Sequence, residues 1–258
     1  SSSGNPGSIK ILPGSEQYEG GFYKVPADSS GSPTAEEILT NPGINRFDYA
    51  PWMSSYPKRE DYGASGIVNY RVNDWAELFM QTYYRKRSVK QWMAPTPAFG
   101  DIRDFDGDGD GQTLVPADNP FNPFGEAVSF RHRLTEGGPR LSDIDYDVYR
   151  FLPGVRFDIG DNWQAETAFM HMESKALDYG RNYISAEGFT QALQSTDPET
   201  AFNVFGSGAG INNEAVLEGM KVNTFRSADS KLRMWDVKAG GDIYELPGGT
   251  VGLAVGAE

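Results

Sequence analysis

The segment from Asp147 to Met172 constrains the fold of this chain more than any other stretch. Two runs of alternating apolar and polar residues flank a short turn at Gly160-Asp161-Asn162. Period-two alternation on both sides of such a turn is typical of a β-hairpin, because successive side chains of a strand point to opposite faces. One face is mainly aromatic and the other is charged. The pattern suits a soluble β-sandwich, and it equally suits a transmembrane strand pair with lipid on one face and water on the other.

Two further segments repeat this pattern. Residues 61–86 turn at Asn73-Asp74, directly before Trp75, and residues 232–258 turn at Leu246-Pro247-Gly248-Gly249. The sequence therefore predicts an all-β, antiparallel fold with hairpins at 61–86, 147–172 and 232–258. Residues 1–60 are expected to be mostly loop, and 87–146 and 173–231 to be long loops. Short helices are predicted near 33–39, 186–194 and 213–220.

The lengths of these connections favour a particular membrane architecture. Long connections are uncommon in compact soluble domains. Outer-membrane barrels of bacteria combine up-and-down hairpins and short periplasmic turns with long extracellular loops. The predicted fold is therefore part of an antiparallel transmembrane β-barrel. A Trp at the start of a strand suits a membrane interface, although it can also pack over a turn in a soluble protein.

Composition excludes several classes of function. A net charge of −13 argues against a nucleic-acid partner, whose binding surface is basic. The absence of cysteine excludes disulfide scaffolds and thiolate metal sites. His132 and His171 lie far apart in sequence, and neither an HExxH nor a GxSxG motif is present. The sequence thus predicts that the chain is not an enzyme.

An acidic run is the candidate metal site. Asp104, Asp106, Asp108 and Gly109 match the start of a calcium loop, D-x-D-x-D-G, and Asp110 adds a fourth carboxylate. The twelfth position is Val115 instead of the bidentate Glu of an EF-hand. Two readings remain open: a calcium loop of another type, with Ca²⁺ as the possible cofactor, or a solvated acidic loop.

Two other motifs have both a binding and a structural interpretation. The NPFNPFG motif at 119–125 could stack its Phe rings on a ligand, but a rigid pair of turns is favoured. Arg131, Arg133 and Arg140 could attract an anionic ligand or lipopolysaccharide phosphates. The favoured interpretation is that they balance neighbouring acidic residues.

Four segments together resemble the barrel of TonB-dependent outer-membrane receptors. In chain order they are NYRVNDWAELFMQTYYRKRS, PADNPFNPFG, YRFLPGVRFDIGDNWQAETAFM and SKLRMWDVKAGGDIYELPGGTVGLAVGAE. The likeness covers about residues 48–258. It implies a barrel of about 22 strands that holds an N-terminal plug domain. Six strands cannot close such a barrel, so we expect residues 1–258 to form one partial barrel domain of a larger receptor, without its plug.

The resemblance also implies a location, an activity and partners. The location is the bacterial outer membrane. The activity is import of a scarce substrate into the periplasm: siderophore-bound iron, cobalamin or an oligosaccharide. The partners are the TonB complex, acting through parts outside this chain, the substrate, and outer-membrane lipid or lipopolysaccharide. Two alternatives remain: a passive porin-like channel, and a soluble secreted β-domain that binds carbohydrate with the help of calcium.

Overall fold

A computed structural model describes residues 1–27, 31–208 and 210–258; Asp28–Ser30, in the predicted N-terminal loop, and Ala209, in the second predicted long loop, lie outside the described residues. In chain order the strands are β1 Ser8–Ile11, β2 Gly21–Lys24, β3 Lys58–Asn73, β4 Ala76–Met93, β5 Pro97–Phe99, β6 Ser129–Arg133, β7 Arg140–Ile159, β8 Trp163–Ile184, β9 Lys221–Leu246 and β10 Gly249–Ala257. The helices are α1 Ala35–Leu39, α2 Ala186–Gln194 and α3 Glu214–Met220. Single 3-10 turns cover Ala50–Trp52 and Thr135–Gly137.

The fold is mostly antiparallel β-sheet. Strands make up 52% of the chain and helices 11%, which confirms the predicted all-β class. One sheet has the strand order β2-β1-β6-β5 and the other β10-β9-β8-β7-β4-β3. None of the helices in the described residues is long and apolar enough to cross a membrane. The three predicted helices are present; in α1, Thr34 and Glu37 cap each other's backbone N–H groups, which satisfies donors that the first turn leaves free.

Unit 1 is a compact body that comprises residues 1–57, 91–142 and 179–224. Its four-stranded sheet pairs Ile9 of β1 with Phe130 of β6. The ring of Phe189, on α2, contacts Phe130 at a centroid distance of 5.8 Å and Phe202 at 5.3 Å. These residues belong to one buried hydrophobic cluster to which β1, β5, β6 and all three helices contribute. A packed core of this kind is the main source of stability in a small domain.

The predicted loops need correction in this unit. Residues 87–146, predicted as a long loop, contain β5 and β6, whereas α2 and α3 in residues 173–231 are the short helices that the sequence predicts. Most of residues 1–60 lie outside regular elements, yet β1, β2 and α1 occur there, and Ile9, Ile11 and Ile38 are fully buried. Each of these segments carries too few apolar residues to show a period, and the core forms only when segments distant in sequence meet. Sequence periodicity therefore could not detect it.

Unit 2 comprises residues 58–90, 143–178 and 225–258, and it is built on the six-stranded sheet. Its turns are short: β3 pairs with β4 through Asn73 and Ala76, and β9 pairs with β10 through Leu246 and Gly249. Gly160, in the turn between β7 and β8, has φ +63°, a conformation that glycine adopts without strain. The strands extend beyond the predicted hairpins at 61–86, 147–172 and 232–258, since β7 starts at Arg140 and β9 at Lys221.

The two faces of the sheet in unit 2 differ in chemistry. The polar face carries a connected set of charges, in which the Arg156 guanidinium lies 2.9 Å from a carboxylate oxygen of Glu77 and 2.7 Å from one of Glu166. The Lys238 ammonium group lies 2.7 Å from Glu166 as well. On the same face Arg156 lies over the ring of Phe79, 4.3 Å from its centroid. The opposite face, which we call the apolar face, carries the exposed side chains of Tyr70, Leu78, Phe169 and Trp235.

Unit 2 has almost no core of its own. All its residues are described, and the buried hydrophobic ones are Ala76, Phe79 and Ala168. By contrast, 24 of its large hydrophobic side chains are exposed. Soluble monomers rarely expose so many large apolar side chains on one sheet. An apolar environment or another protein surface is therefore expected to cover the sheet.

Candidate functional site

The three carboxylates of Asp104, Asp106 and Asp108 meet in the loop between β5 and β6. Each offers one oxygen, and these oxygens lie within 4.8 Å of one another. All three residues are exposed. In the described residues this is the one group of three or more His, Cys, Asp or Glu side chains that could hold a metal ion. The structure thus brings together three of the four residues that the sequence indicates.

Alternating glycines shape this loop. Gly107 and Gly109 have φ +74° and +88°, and this left-handed conformation disfavours other residues. The chain consequently turns back on Asp104, whose carboxylate accepts hydrogen bonds from the backbone N–H groups of both glycines, at 2.9 Å for Gly109. Side chains of Asp commonly close turns in this way. These bonds leave further lone pairs on the Asp104 carboxylate.

The loop is anchored to the core of unit 1 at both ends. The ring of Phe105 packs edge-on against Phe189 at 6.0 Å, and its backbone N–H donates to Thr113 Oγ1 at 2.6 Å. Thr113 is buried, and its hydroxyl donates to the Arg103 carbonyl at 2.9 Å. Because the ends are held, little conformational entropy remains to be lost when an ion binds.

Asp110 does not join the group. Its carboxylate accepts the backbone N–H of Gln112 at 2.7 Å, and Asp110 is absent from the set of converging oxygens. Val115, in the twelfth position, is buried and pairs with Val128, so no carboxylate stands where an EF-hand places its bidentate Glu. A metal here would have three carboxylate ligands, and water or backbone carbonyls would complete its shell.

Electrostatics within the group favour a cation. Loss of solvent around its carboxyl raises the pKa of Asp106, and a hydrogen bond with Asp104 and the charge of Asp108 raise it further. Loss of solvent also raises the pKa of Asp104, but hydrogen bonds with the backbone N–H groups of Gly107, Gly109 and Asp108 and with the Asp106 side chain outweigh this and lower it overall. Three crowded carboxylates repel each other, and a divalent cation removes that repulsion. Hard carboxylate oxygens are the ligands that Ca²⁺ prefers, so the residues present fit this ion.

The NPFNPFG motif has a structural role. Phe124 is 2% exposed and contacts Tyr18 at 5.4 Å, edge to face. The Asn119 side chain donates to the Leu193 carbonyl at 2.8 Å, and that of Asn122 donates to the Pro116 carbonyl at 2.9 Å. The asparagines close the turns and Phe124 inserts into the core. These contacts support the interpretation of the motif as a rigid pair of turns.

The three arginines that could attract an anion are engaged inside unit 1. Arg131 forms a two-pronged contact with Asp101, with nitrogen–oxygen distances of 2.9 and 2.5 Å. Arg133 donates to the Pro95 carbonyl at 2.9 Å, and Arg140 donates to the Ala94 carbonyl at 2.8 Å. Each guanidinium group therefore has a partner inside the fold, which is a carboxylate for Arg131 and a backbone carbonyl for Arg133 and Arg140.

The structure also contains a cavity that the motifs do not indicate. It measures about 600 Å³ and lies along the charged set of unit 2, lined by Arg71, Glu77, Arg156, Gln164, Glu166 and Lys238 among others. The only signal in the sequence is the alternation of charged residues along each hairpin. Which residues of different strands meet depends on the register of the sheet, which the alternation does not specify.

Comparisons with known proteins do not assign this chain to a family. No protein-family model matches it, and neither curated proteins nor solved structures include a significant match.

Proposed function

We propose that this chain forms part of the barrel wall of a TonB-dependent receptor in a bacterial outer membrane. The observation that carries the proposal is the exposed apolar face of unit 2, a sheet with no core of its own. Lipid is a natural cover for such a face, because it removes the side chains from water without requiring a partner protein. The resemblance of the hairpin sequences to this receptor family supports the same assignment.

The distribution of aromatic residues on this face fits a membrane. Trp75 lies at the turn before β4, 56% exposed, and its ring stacks on Phe157 at 6.1 Å. Tyr84 lies nine residues further along, where its hydroxyl donates to Asp147 at 2.9 Å. Nine residues of strand span about 30 Å, and a tilt of about 40° reduces this to about 23 Å in height. That is close to the apolar band of about 25 Å between the aromatic girdles of membrane barrels.

Polar contacts begin where this band ends. On the same face as Phe169, the next residues outward are His171 and Glu173, whose side chains lie 3.3 Å apart. The Lys231 ammonium group lies 3.4 Å from Glu173, and the ring of Tyr149 lies 6.1 Å from that of His171. Charged groups are costly in the hydrocarbon layer but not at its boundary. The change from apolar to charged side chains is the one expected at a membrane–water interface.

The polar face then corresponds to the wet lumen of the barrel. The set of Arg156, Glu77, Glu166 and Lys238 is typical of the interior of a barrel that holds water or a plug. In this proposal the plug and external loops bind a scarce substrate, and the TonB complex pulls on the plug and releases the substrate into the periplasm. The chain itself contributes wall and external surface and no catalytic group. Siderophore-bound iron, cobalamin and oligosaccharides are the candidate substrates.

The first test is the intact mass and the cellular fraction of the native polypeptide. We expect it in the outer membrane, extractable only with detergent, and with a mass far above the 28.4 kDa of these residues. Such a polypeptide should also carry a plug domain. A protein of 28.4 kDa that is soluble without detergent would exclude the barrel.

A passive channel is the closest alternative. It shares the barrel, so localisation does not separate the two. Uptake that depends on an intact TonB complex and on the proton-motive force supports the receptor. Uptake that continues unchanged when the TonB complex is deleted supports the channel.

We also infer that the loop at Asp104–Asp110 binds Ca²⁺, which the soluble carbohydrate-binding alternative requires and the receptor allows. Titration calorimetry of the chain with Ca²⁺ should show binding that the double substitution Asp106→Ala, Asp108→Ala abolishes, since two of three converging carboxylates are lost. Asp110→Ala is the matched control, because Asp110 lies outside the group, and it should change the affinity less than about threefold. No heat at millimolar Ca²⁺, or equal losses in both variants, contradicts the assignment.

A further inference from the structure

Three arginine side chains of unit 2 converge on one carboxylate. Asp61 of β3 pairs directly with Arg87 of β4. Arg59 and Arg85 each lie two residues along the same two strands, so all four side chains share one face. Nη2 of Arg85 lies 2.9 Å and Nε of Arg87 2.8 Å from Oδ1 of Asp61, and Nε of Arg59 contacts Oδ2. We call these four residues the arginine cluster.

The charges of the arginine cluster are not balanced. Glu77 and Arg85 are an even number of residues apart on β4, so the cluster lies on the polar face, as does the charged set around Arg156. In that set two cations meet two carboxylates. In the arginine cluster three guanidinium groups meet one carboxylate. Two positive charges are therefore left over at one point of a chain whose net charge is −13.

These contacts leave most donors of the cluster without a partner in the described residues. A guanidinium group carries five N–H donors, whereas the Asp61 carboxylate offers two oxygens. Arg59 and Arg87 hydrogen-bond to Asp61 through Nε, and the ion pairs of all three arginines in the described residues go to this carboxylate. The side chains of Arg85 and Arg87 are 44% and 32% exposed, so a solute can reach them. Asp61 thus holds the three cations together, and their remaining donors stay available.

Charge and geometry select the ligand of the cluster. A guanidinium group pairs with phosphate or carboxylate oxygens through two parallel hydrogen bonds. A phosphate monoester carries a charge of about −1.5 to −2 at pH 7, which matches the two unbalanced positive charges. A single carboxylate would leave one of them uncompensated. We propose that the arginine cluster binds the phosphate group of a soluble phosphate monoester.

The position of the cluster favours a solute over a lipid head group. Lys86 lies between Arg85 and Arg87 in the sequence and therefore points to the opposite, apolar face. A lipid phosphate at the boundary of a membrane would meet Lys86, while the arginines face away from it. Under the proposed function Tyr84 marks the end of the apolar band on β4, so the cluster lies just beyond it on the lumen side. A phosphate-bearing solute that enters the lumen from that end would meet the cluster there.

Only this role in the lumen rests on the proposed function. The cluster itself depends on the pairing of β3 with β4, which requires neither a membrane nor a TonB complex. Phosphate binding by a protein that is soluble without detergent would keep the site and exclude the receptor. A detergent-dependent protein of high mass that binds no phosphate would keep the receptor and exclude the site.

The test is titration calorimetry of the native polypeptide with glycerol 3-phosphate, in detergent where the protein needs it. Binding is expected at millimolar concentration, whereas glycerol, which lacks the phosphate, and acetate, which has one negative charge, should bind at least about tenfold more weakly. Arg85→Gln and Arg87→Gln should each weaken the binding of glycerol 3-phosphate about fivefold or more, because each removes one of the cations. Lys86→Gln removes the same charge from the opposite face and should stay within about twofold of the native protein.

Three results would overturn the proposal. The first is the absence of heat with glycerol 3-phosphate at about 10 mM. The second is an equal loss of affinity in Lys86→Gln and in the arginine variants, which would indicate attraction by net charge or contact from the lipid side. The third is binding of acetate as tight as that of glycerol 3-phosphate. An unchanged near-ultraviolet circular dichroism spectrum checks the fold of each variant, and Arg85→Gln against Lys86→Gln decides the matter even if Arg87→Gln does not fold.

Discussion

Phe202→Ala is expected to lower the free energy of unfolding of unit 1 by about 3–5 kcal/mol. Phe202 is fully buried, and its ring lies 5.3 Å from that of Phe189 and 5.8 Å from that of His132, edge to face in both contacts. The substitution loses the free energy gained by transferring the ring out of water. It also leaves a cavity, because the surrounding residues relax only in part to fill the space. The effect is large because one ring joins α2 to β6.

Hydrogen exchange followed by mass spectrometry measures this change locally. Amides of β1 and β6 should exchange roughly a hundredfold faster or more in Phe202→Ala. Phe225→Ala makes the same chemical change at a position that is 65% exposed in unit 2, and it should leave these amides unaffected. If the amides of β1 and β6 exchange as fast in the native protein as in Phe202→Ala, the core of unit 1 is not formed and the prediction is wrong.

The stability of unit 1 is also expected to depend on the protonation of His132. Its ring is buried, and among the described residues neither ring nitrogen has a hydrogen-bond partner. Burial lowers the pKa of His132 from 6.5 to about 4, because the charged ring cannot be solvated there. The unfolded chain therefore binds a proton between about pH 6.5 and 4 while the folded one does not. Stability is full above pH 6.5 and falls as the pH drops towards 4.

The expected loss between pH 7.5 and pH 4 is about 3 kcal/mol from this residue alone. His132→Leu has a similar volume and no group to protonate, so its unfolding should lack this component. Carboxylates titrate in the same range; burial raises the pKa of Glu136, for example, which acts in the opposite direction. These groups are common to both proteins and cancel in the difference between their unfolding free energies. Parallel pH profiles for the two proteins would refute the prediction.

Local patterns were sufficient to predict a part of this structure. The hairpin turns follow from Gly160 and its Asp and Asn neighbours, because alternation and turn chemistry act within a few residues. The start of α1 follows from the Thr34–Glu37 capping box for the same reason. The convergence of Asp104, Asp106 and Asp108 is also local, since the intervening glycines alone turn the chain. The sequence did not show that Asp110 lies outside the metal-binding group. Its carboxylate accepts a hydrogen bond from the backbone N–H of Gln112 and does not join the other three.

Other features depend on segments that are distant in sequence. Phe124 and Phe202 belong to one core and His132 packs on Phe202, although 78 residues separate the two Phe residues along the chain. Arg131 and Arg133 are not free to bind an anion, because Arg131 pairs with Asp101 and Arg133 donates to the Pro95 carbonyl. The spacing of these residues in the sequence does not predict either contact. The pairing of Ser54 with Trp92 likewise joins residues that are 38 positions apart.

The amino-acid sequence alone therefore establishes the strand periodicity, the turns, the short helices and the acidic loop, all of which depend on neighbours within about a dozen residues. The fold in three dimensions was needed to show that the predicted loops form a packed unit and that the sheet of unit 2 has no core. It was also needed to show which aromatic residues are buried and which are exposed. The physical reason is that burial is a property of the assembled surface: a Phe in an irregular segment has the same local sequence signal whether it fills a core or faces solvent.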